Sequence, residues 1–325
     1  MQLYLDNKNG NVWDLSEITT KVGWKTNSSG KPSTLDISLV DGGLYQNKAF
    51  QVSNGDIVSF QKDGSNLFYG YVFSVDSGSD QEIKIKAYDQ LRYLLGNDSY
   101  LFKNVTVDQV LEKIARDQRL AVGTLEKGDY VIPSLVEYDK KLLDIILKAM
   151  DMTLAYKGQR LVLYDDFGKL TLRDMTSMKS DVVLGGGRYI TDYTHKRSID
   201  NETYNRIKMY RENKESGVRD VYIHQDSANI AKWGQLQLYQ KIDDNWNEAQ
   251  IRNAAEMLLQ LHNREQVQFS VDAIGDLKVR SGNLINILLE KAGDARLFFV
   301  EECEHQFADD GHTMKLTLKV VKSVA

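Results

Sequence analysis

The sequence predicts a mainly β protein with an α+β insertion, in which two similar β-barrel domains enclose a small α+β domain. Three observations predict this fold. Alternating apolar and polar residues fill the first hundred positions, the period becomes helical near residue 104, and the two ends of the chain resemble each other. We expect domains at 1–97, 98–180 and 181–325, with a helix inserted into the last one at 246–263.

The first domain is predicted to be antiparallel sheet. The segments TTKVGWKT and TLDISLV are joined by NSSGKP, whose glycine and proline favour a turn. GDIVSF, LFYGYVFSV and EIKIKAYD follow in quick succession. Short strands with polar turns at this spacing are typical of a barrel or a sandwich.

The middle domain is predicted to combine two helices with a β-meander. NVTVDQVLEKIARDQRL places its apolar residues on one helical face, and Thr106 with Gln109 forms a capping box. A second helix is predicted over KKLLDIILKAM, followed by strands over TLAYK, QRLVLYD and KLTLRDM. Together these elements indicate a small α+β unit.

The last domain returns to strands and carries one helix. Strand patterns occur in ETYNRIKMYRE and VRDVYIHQ. The segment DNWNEAQIRNAAEMLLQLHN then has an apolar stripe at helical spacing, and Asn247 and Gln250 are able to cap its start.

An internal repeat relates the two ends of the chain. FQVSNGDIVSF at 50–60 aligns without a gap on LKVRSGNLINI at 277–287; LDISLV matches VQFSVD upstream, and NLFYGYV matches RLFFVEE downstream. Alternating strands resemble each other by chance, so the argument depends on Gly55 and Gly282, each placed where a tight turn opens the next strand. We predict a duplication of about fifty residues.

The segment KAYDQLRYLLGN, residues 86–97, is predicted to be the exit from the first barrel into the middle domain. An alternating strand leads there into a compact group of polar and aromatic residues. We expect Tyr88, Asp89, Arg92 and Tyr93 to form a structural latch, made of an aromatic anchor and a solvated ion pair.

Composition and charge argue against several functional classes. A net charge of -5 provides no basic field for phosphate, so we expect no specific nucleic-acid binding. No apolar run approaches the roughly 18 residues that a spanning helix needs, so we expect no integral membrane segment. The single cysteine, Cys303, excludes an internal disulfide framework and any multi-cysteine metal site.

No pattern of residues predicts a catalytic or metal site. His305 and His312 flank a predicted hairpin, but HExxH is absent. The adjacent carboxylate pairs are Asp165–Asp166, Asp243–Asp244, Glu301–Glu302 and Asp309–Asp310. Most lie in predicted turns, where Asp is favoured because its side chain bonds the local backbone. We therefore expect no catalytic residue, no bound metal and no cofactor.

A series of segments spread over nearly the whole chain carries a family resemblance. In chain order they are NGDIVSF, FYGYV, KAYDQLRYLLGN, TVDQVLEKIARDQ, YVIPSLVEYDKKLLDIILKAM, YDDFGKLTLRDM and IDNETYNRIKMY. This series resembles the XkdQ/YqbQ group of prophage tail proteins. Relatives of that group are baseplate hub proteins of contractile phage tails and of phage-tail-like bacteriocins of the R-type and diffocin-like kinds.

The resemblance implies two tail-tube-like barrels in one subunit and a homotrimer that forms a pseudo-sixfold ring. Such a ring would join the hexameric tail tube to the central spike. The implied partners are the tail tube protein, the spike protein and other baseplate proteins, with the tape measure protein as a further candidate. The resemblance further implies a virion protein without enzymatic activity, which is made in the bacterial cytoplasm and assembled into the baseplate.

Two alternatives from other classes stay open at this point. One is a tail enzyme that degrades the cell wall, with carboxylates that the fold brings together from distant positions. The other is a peptidoglycan-binding module built from residues 98–180. Clearing of a peptidoglycan suspension would identify the enzyme, and a pull-down with cell wall would identify the binding module.

Overall fold

The computed structural model describes most of the chain and divides it into two compact units. Outside the described residues lie 29, 43–46, 48, 80, 186–188, 213–217, 243–245, 289–294, 309–310 and 322–325. The first unit combines Met1–Thr194 with Phe269–Ala325, and the second is His195–Gln268. The predicted boundaries after residues 97 and 180 both fall inside the first unit and stay a prediction.

Seven strands occur among the described residues of the N-terminal part of the first unit. They are β1 Gln2–Asp6, β2 Val12–Asp14, β3 Thr19–Asn27, β4 Thr34–Val40, β5 Ile57–Lys62, β6 Ser65–Ser77 and β7 Glu82–Tyr88. Successive side chains of a strand point to opposite faces, so the alternation in β4 buries Leu35, Ile37 and Leu39 on one side.

The middle of the first unit mixes helices and strands. Its elements are a 3₁₀ helix Gln90–Leu95, β8 Asn97–Val105, α1 Val107–Asp117, β9 Val122–Leu125, β10 Ile132–Lys141, α2 Leu142–Lys157, β11 Leu161–Asp165, β12 Leu170–Asp174 and a 3₁₀ helix Met175–Met178. The predicted capping box of Thr106 and Gln109 is confirmed.

The strand predicted over TLAYK is wrong, because these residues form the last turns of α2. The helix ends at Gly158, whose φ of 68° is left-handed and whose N–H donates to the carbonyl of Leu154 at 2.9 Å. A left-handed glycine is the usual stop for a helix, whereas no glycine or proline separates TLAYK from the helical residues before it.

The remaining elements complete the first unit and build the second. They are β13 Lys179–Gly185, β14 Ile190–Ser198, β15 Arg206–Glu212, β16 Arg219–Gln225, α3 Ser227–Trp233, β17 Gln237–Lys241, α4 Glu248–His262, β18 Gln266–Ile274, β19 Leu284–Leu288, β20 Ala295–Ala308 and β21 Gly311–Val320. Helix α4 carries the predicted capping box of Asn247 and Gln250. Its buried Ile251 and Ala255 share a core with Ile207 and Met209 of β15.

One large sheet runs through both ends of the chain. Its strand order is β14-β18-β21-β20-β3-β4-β7-β6-β5-β1-β2, with β19 paired to β20 and β13 paired to β19. We call β1 together with β3–β7 the first repeat, and β13 and β14 together with β18–β21 the second repeat. The order β3-β4-β7-β6-β5-β1 in the first repeat recurs as β14-β18-β21-β20-β19-β13 in the second. The last strand pair of the two repeats differs in relative direction: β1 is antiparallel to β5, whereas β13 is parallel to β19.

Separate hydrophobic cores support the described parts of the first unit. One core, including Leu3, Val22 and Phe60, lies inside the first repeat, and another, including Val271 and Leu316, lies inside the second. A third core fills the middle segment between α1, α2 and their strands. The predicted fold class, mainly β with an α+β insertion, is confirmed.

Candidate assembly surface

The two glycines of the predicted repeat occupy equivalent turns. Gly55 has φ of 92° and Gly282 has φ of 91°, the left-handed region that suits glycine. The N–H of Gly55 donates to the carbonyl of Val72, and the N–H of Gly282 donates to that of Val300, both at 2.8 Å. The same backbone hydrogen bond therefore closes both turns.

The residue after each glycine reinforces its turn with the same side-chain hydrogen bond. Asp56 accepts a hydrogen bond from the N–H of Ser53 at 2.8 Å, and Asn283 accepts one from the N–H of Arg280 at 2.8 Å. Asp and Asn both offer an oxygen at this position, so the exchange between them keeps the turn intact.

Alanine substitutions at the two glycines should separate conformational strain from crowding. We expect Gly55→Ala to cost about 1 kcal/mol, because a Cβ there meets open space and only the left-handed conformation is penalised. Gly282→Ala should cost about 1 kcal/mol more, because its Cβ would lie 2.7 Å from Cγ1 of Val162. Urea unfolding midpoints of both variants test this ranking, and equal midpoints would contradict it.

The structure sets the register of the repeat differently from the sequence alignment. The glycine hydrogen bonds match Val72 with Val300, a shift of two residues from the predicted pairing of NLFYGYV with RLFFVEE. A bulge follows each of these two valines, where the register to β7 or to β21 slips. Alternation alone could not choose between registers that differ by two, because both put the same face inward.

The two repeats are joined by an antiparallel seam between β3 and β20. The pairing runs from Asn27 opposite Glu302 to Lys21 opposite Ala308. Phe307 of β20 is 4% exposed and belongs to the core of the first repeat, where its ring meets Phe60 edge-on at 5.1 Å. The second repeat therefore supplies part of the core of the first.

The outward side of this sheet, which we call the polar face, carries paired charges of opposite sign. The ion pairs are Lys25–Glu302 at 3.0 Å, Lys86–Asp36 at 3.4 Å, Lys84–Glu82 at 3.0 Å and Lys315–Asp272 at 4.0 Å. Exposed pairs of this kind contribute little stability, but they keep the local field close to neutral.

The predicted latch residues lie close together, with a different role for Asp89. Tyr93 packs edge-on against Tyr71, and the guanidinium of Arg92 lies 5.1 Å from the ring centre of Phe73 and 5.9 Å from that of Tyr88. These contacts form an aromatic anchor with a cation–π component.

The expected solvated ion pair between Asp89 and Arg92 is wrong. Asp89 is 1% exposed, and its carboxylate accepts hydrogen bonds from the N–H groups of Ser33 at 2.9 Å and Leu91 at 3.0 Å. It therefore caps the first 3₁₀ helix and ties it to the β3–β4 connection. A latch at the domain exit stays a prediction.

A buried polar cluster that the sequence did not indicate lies beside this segment. Gln90 donates to the Asp165 carboxylate at 3.0 Å and accepts from the N–H of Ala121 at 3.0 Å. The guanidinium of Arg280 donates to the carbonyl of Asp165 and lies 3.9 Å from the ring centre of Tyr164. Burial raises the pKa of Asp165 and lowers that of Arg280. The cluster thus links the exit segment, the middle segment and the second repeat.

His305 and His312 are brought together, with Cys303 beside them. Nδ1 of His305 lies 2.9 Å from Nε2 of His312, while its Nε2 lies 2.8 Å from the carbonyl of Val279 and 3.1 Å from Sγ of Cys303. Burial lowers the pKa of His305 to about 4, so the ring is neutral at physiological pH. The described residues contain no group of three or more side chains with the arrangement of a metal site.

Three of the adjacent carboxylates make structural contacts. Asp165 belongs to the buried cluster, Glu301 pairs with Lys319 at 2.5 Å, and Glu302 pairs with Lys25. The pairs Asp243–Asp244 and Asp309–Asp310 lie outside the described residues. Among the helices that the structure describes, none is long and apolar enough to cross a membrane.

Comparison with known proteins identifies the family. Residues 22–319 match the model of the YQBQ-like family. This chain belongs to the YQBQ-like family. The YQBQ-like protein is 33% identical over 276 residues to uncharacterized protein YqbQ of Bacillus subtilis (strain 168), covering 84% of this chain and 83% of that protein. It is 33% identical, with the same coverage, to phage-like element PBSX protein XkdQ of the same organism. The predicted resemblance to the XkdQ/YqbQ group is confirmed.

Solved structures share the fold of the YQBQ-like protein at low sequence identity. The 43 kDa tail protein of prophage MuSo2 from Shewanella oneidensis gives a TM-score of 0.72 at 14% identity, covering 98% of both chains. The E. coli c3393 protein, a type VI secretion component structurally similar to T4 bacteriophage tail proteins gp27 and gp5, gives 0.61 at 12%, covering 99% of this chain and 78% of that one. The YQBQ-like protein therefore has the fold of phage tail proteins.

Proposed function

We propose that this protein is a structural baseplate hub of a contractile phage tail or R-type bacteriocin. In this proposal three copies form a ring that joins the hexameric tail tube to the central spike. The observation that carries the proposal is the recurrence of one strand order in both repeats, which the β3–β20 seam joins edge to edge in a single sheet.

The duplication would allow a trimer to match a hexamer. Two similar domains in each of three copies provide six similar positions around the axis, which suits the tail tube protein on one side. The true symmetry remains threefold, which suits a trimeric spike protein on the other side. Other baseplate proteins and the tape measure protein would contact the remaining surfaces.

The polar face is suited to line the channel of such a ring. A channel rich in Lys and Arg would retain DNA by neutralising its phosphates, whereas balanced charges let it slide. The ion pairs Lys25–Glu302 and Lys86–Asp36 give this face balanced charge. In a bacteriocin the tube contains no DNA, and the polar face would suit that channel equally well. On this proposal the protein acts through its interfaces and is not an enzyme.

The fold comparison supports the hub proposal. The type VI secretion component that shares this fold is described as similar to two T4 tail proteins. The PBSX relative belongs to a phage-like element.

Negative-stain images and mass measurement of the purified protein test the hub. We expect rings of three copies with six similar lobes around the axis, because each copy contributes two repeats. The mass should correspond to three chains and should depend on concentration, because subunit association follows mass action. Rings of five or seven copies would contradict the proposal.

A further inference from the structure

The outer edge of β3 is covered within the chain, because β20 pairs with it. In this seam Lys25 lies opposite Glu304, and its ammonium contacts the carboxylate of the adjacent Glu302 at 3.0 Å. The corresponding edge of β14 has no strand beside it among the residues that the structure describes.

Hydrogen bonds at the start of each strand align β14 with β3. In the first repeat the N–H of Val40 donates to the carbonyl of Ile18 at 2.9 Å, and the hydroxyl of Thr20 donates to the carbonyl of Ser38 at 3.2 Å. In the second repeat the N–H of Ile274 donates to the carbonyl of Tyr189 at 2.9 Å, and the hydroxyl of Thr191 donates to the carbonyl of Asp272 at 3.0 Å. Both sets of hydrogen bonds give the same difference in residue number between β14 and β3, and both strands contain nine residues. Lys196 of β14 therefore corresponds to Lys25 of β3.

The two matched strands differ sharply in exposure. Val22 and Trp24 of β3 are 0% and 3% exposed, since strands flank β3 on both sides. Tyr193, which corresponds to Val22, is 47% exposed, and residues 191–197 of β14 are exposed throughout. A long exposed edge strand tends to pair with another chain.

A complementary free edge exists on β6, the counterpart of β20. Val72 matches Val300, and the bulge after each valine makes Asp76 the counterpart of Glu304. In β20 this stretch has β21 on one edge and β3 on the other. In β6 the residues 74–77 have β7 on one edge, and the described residues place no strand on the other.

We propose that β14 of one copy pairs antiparallel with residues 74–77 of β6 in the next copy, repeating the β3–β20 seam between subunits. The repeat fixes the register, because Glu304 lies opposite Lys25 within the chain. Asp76 of that next copy then lies opposite Lys196 of the first copy, and its Ser74 lies opposite Ser198.

The charges at the two edges fit this register. Asp76 and Lys196 are both exposed, and neither has an ion-pair partner among the described side chains. Val75 packs toward the core of the first repeat, so its neighbour Asp76 points to the polar face. Opposite charges on facing strand positions are mutually favourable, and Lys25 and Glu304 face each other in the same way within the chain.

The contact uses a different edge on each copy, so it is a head-to-tail contact. Each subunit offers β14 to one neighbour and β6 to the other, which closes a ring if the rotation fits. Closure at three copies rests on the proposed function, whereas the pairing of β14 with β6 does not.

Cysteine pairs across the contact provide the test. Opposed Cα atoms of antiparallel strands lie about 4.5–5.5 Å apart, within reach of a disulfide. An Asp76→Cys protein and a Lys196→Cys protein are mixed at increasing concentration and oxidised. We expect the yield of covalent dimers from the mixture to be at least tenfold higher than the yield from either variant alone. A mixture of Asp76→Cys with Lys103→Cys, an exposed strand residue of β8, measures random cross-linking.

The possible outcomes separate the contact from the hub. Cross-links that form equally in either variant alone, or none above the background at the solubility limit, would overturn the contact even if trimeric rings are seen. Specific cross-links in rings of another size would overturn the hub and keep the contact. As a second readout, Lys196→Asp should raise the concentration needed for assembly at least tenfold. Adding Asp76→Lys to it should restore assembly, and failure of this rescue would contradict the assigned register.

Discussion

Phe307→Ala is expected to lower the free energy of unfolding by about 3–5 kcal/mol, the usual cost of removing a buried phenylalanine. The side chain is 4% exposed, meets Phe60 at 5.1 Å and stacks on His312 at 4.2 Å. The cavity would open where β20 joins β3, so hydrogen exchange should rise first in the amides of that seam. Urea unfolding and hydrogen exchange measure the two effects.

Tyr138→Ala is the matched control, because this aromatic side chain is 72% exposed. It should leave the free energy of unfolding unchanged within about 0.5 kcal/mol. If Phe307→Ala also changed the free energy of unfolding this little, the Phe307 ring would not contribute to the core of the first repeat.

Asp89→Ala is expected to destabilise the protein by roughly 2–4 kcal/mol, because each buried donor left without an acceptor costs about 1–3 kcal/mol. The two donors are the N–H groups of Ser33 and Leu91. Asp174→Ala is the matched control. Asp174 caps the second 3₁₀ helix through Thr176 at a water-accessible site, so its loss should cost only about 0.5–1 kcal/mol. Equal urea midpoints for the two variants would contradict a buried role for Asp89.

The pH dependence of Asp89→Asn gives an independent test of the same site. Burial, with the nearby charge of Asp165, raises the pKa of Asp89 to about 7, whereas the unfolded value is about 3.9. The folded state therefore holds the proton more tightly, and this stability is present below about pH 4 and lost as the pH rises through about 7. Asn lacks this titration, so the stability of wild type relative to Asp89→Asn should fall from pH 4 to 7. A difference that stays constant over this range would contradict the raised pKa.

His305 does not disturb this comparison. Its pKa is lowered to about 4, so it contributes stability above about pH 6.5 that is lost as the pH falls toward 4. This trend is opposite to that of Asp89. It is present in both wild type and Asp89→Asn, and it cancels in their difference.

Local patterns in the sequence predicted the elements that depend on neighbouring residues. The capping box of Thr106 and Gln109 and the left-handed turns at Gly55 and Gly282 were identified because turn and cap chemistry acts over three or four residues. The mainly β class followed from alternation, which is also local. TLAYK is a failure in element type. It lies at the end of α2, and five residues are too few to distinguish a strand pattern from a helix pattern.

The tertiary structure alone decided how distant segments meet. Gln90, Asp165 and Arg280 are far apart in the chain, and nothing around any of them indicates a buried cluster. The same holds for Asp89, whose burial the sequence analysis missed because an Asp beside an Arg usually forms an exposed pair. Burial depends on what packs over a residue, which single-sequence periodicity does not contain.

By itself the sequence determined many of the strand-forming segments, the duplicated turn and the family. The tertiary structure decided the register of the repeat, the β3–β20 seam and the two strand edges left free at β14 and β6. The physical reason is that strand edges pair through backbone N–H and carbonyl groups, which nearly every residue carries alike. Side-chain identity can mark where a strand runs, but only the folded backbone shows which edge still has bonds to make.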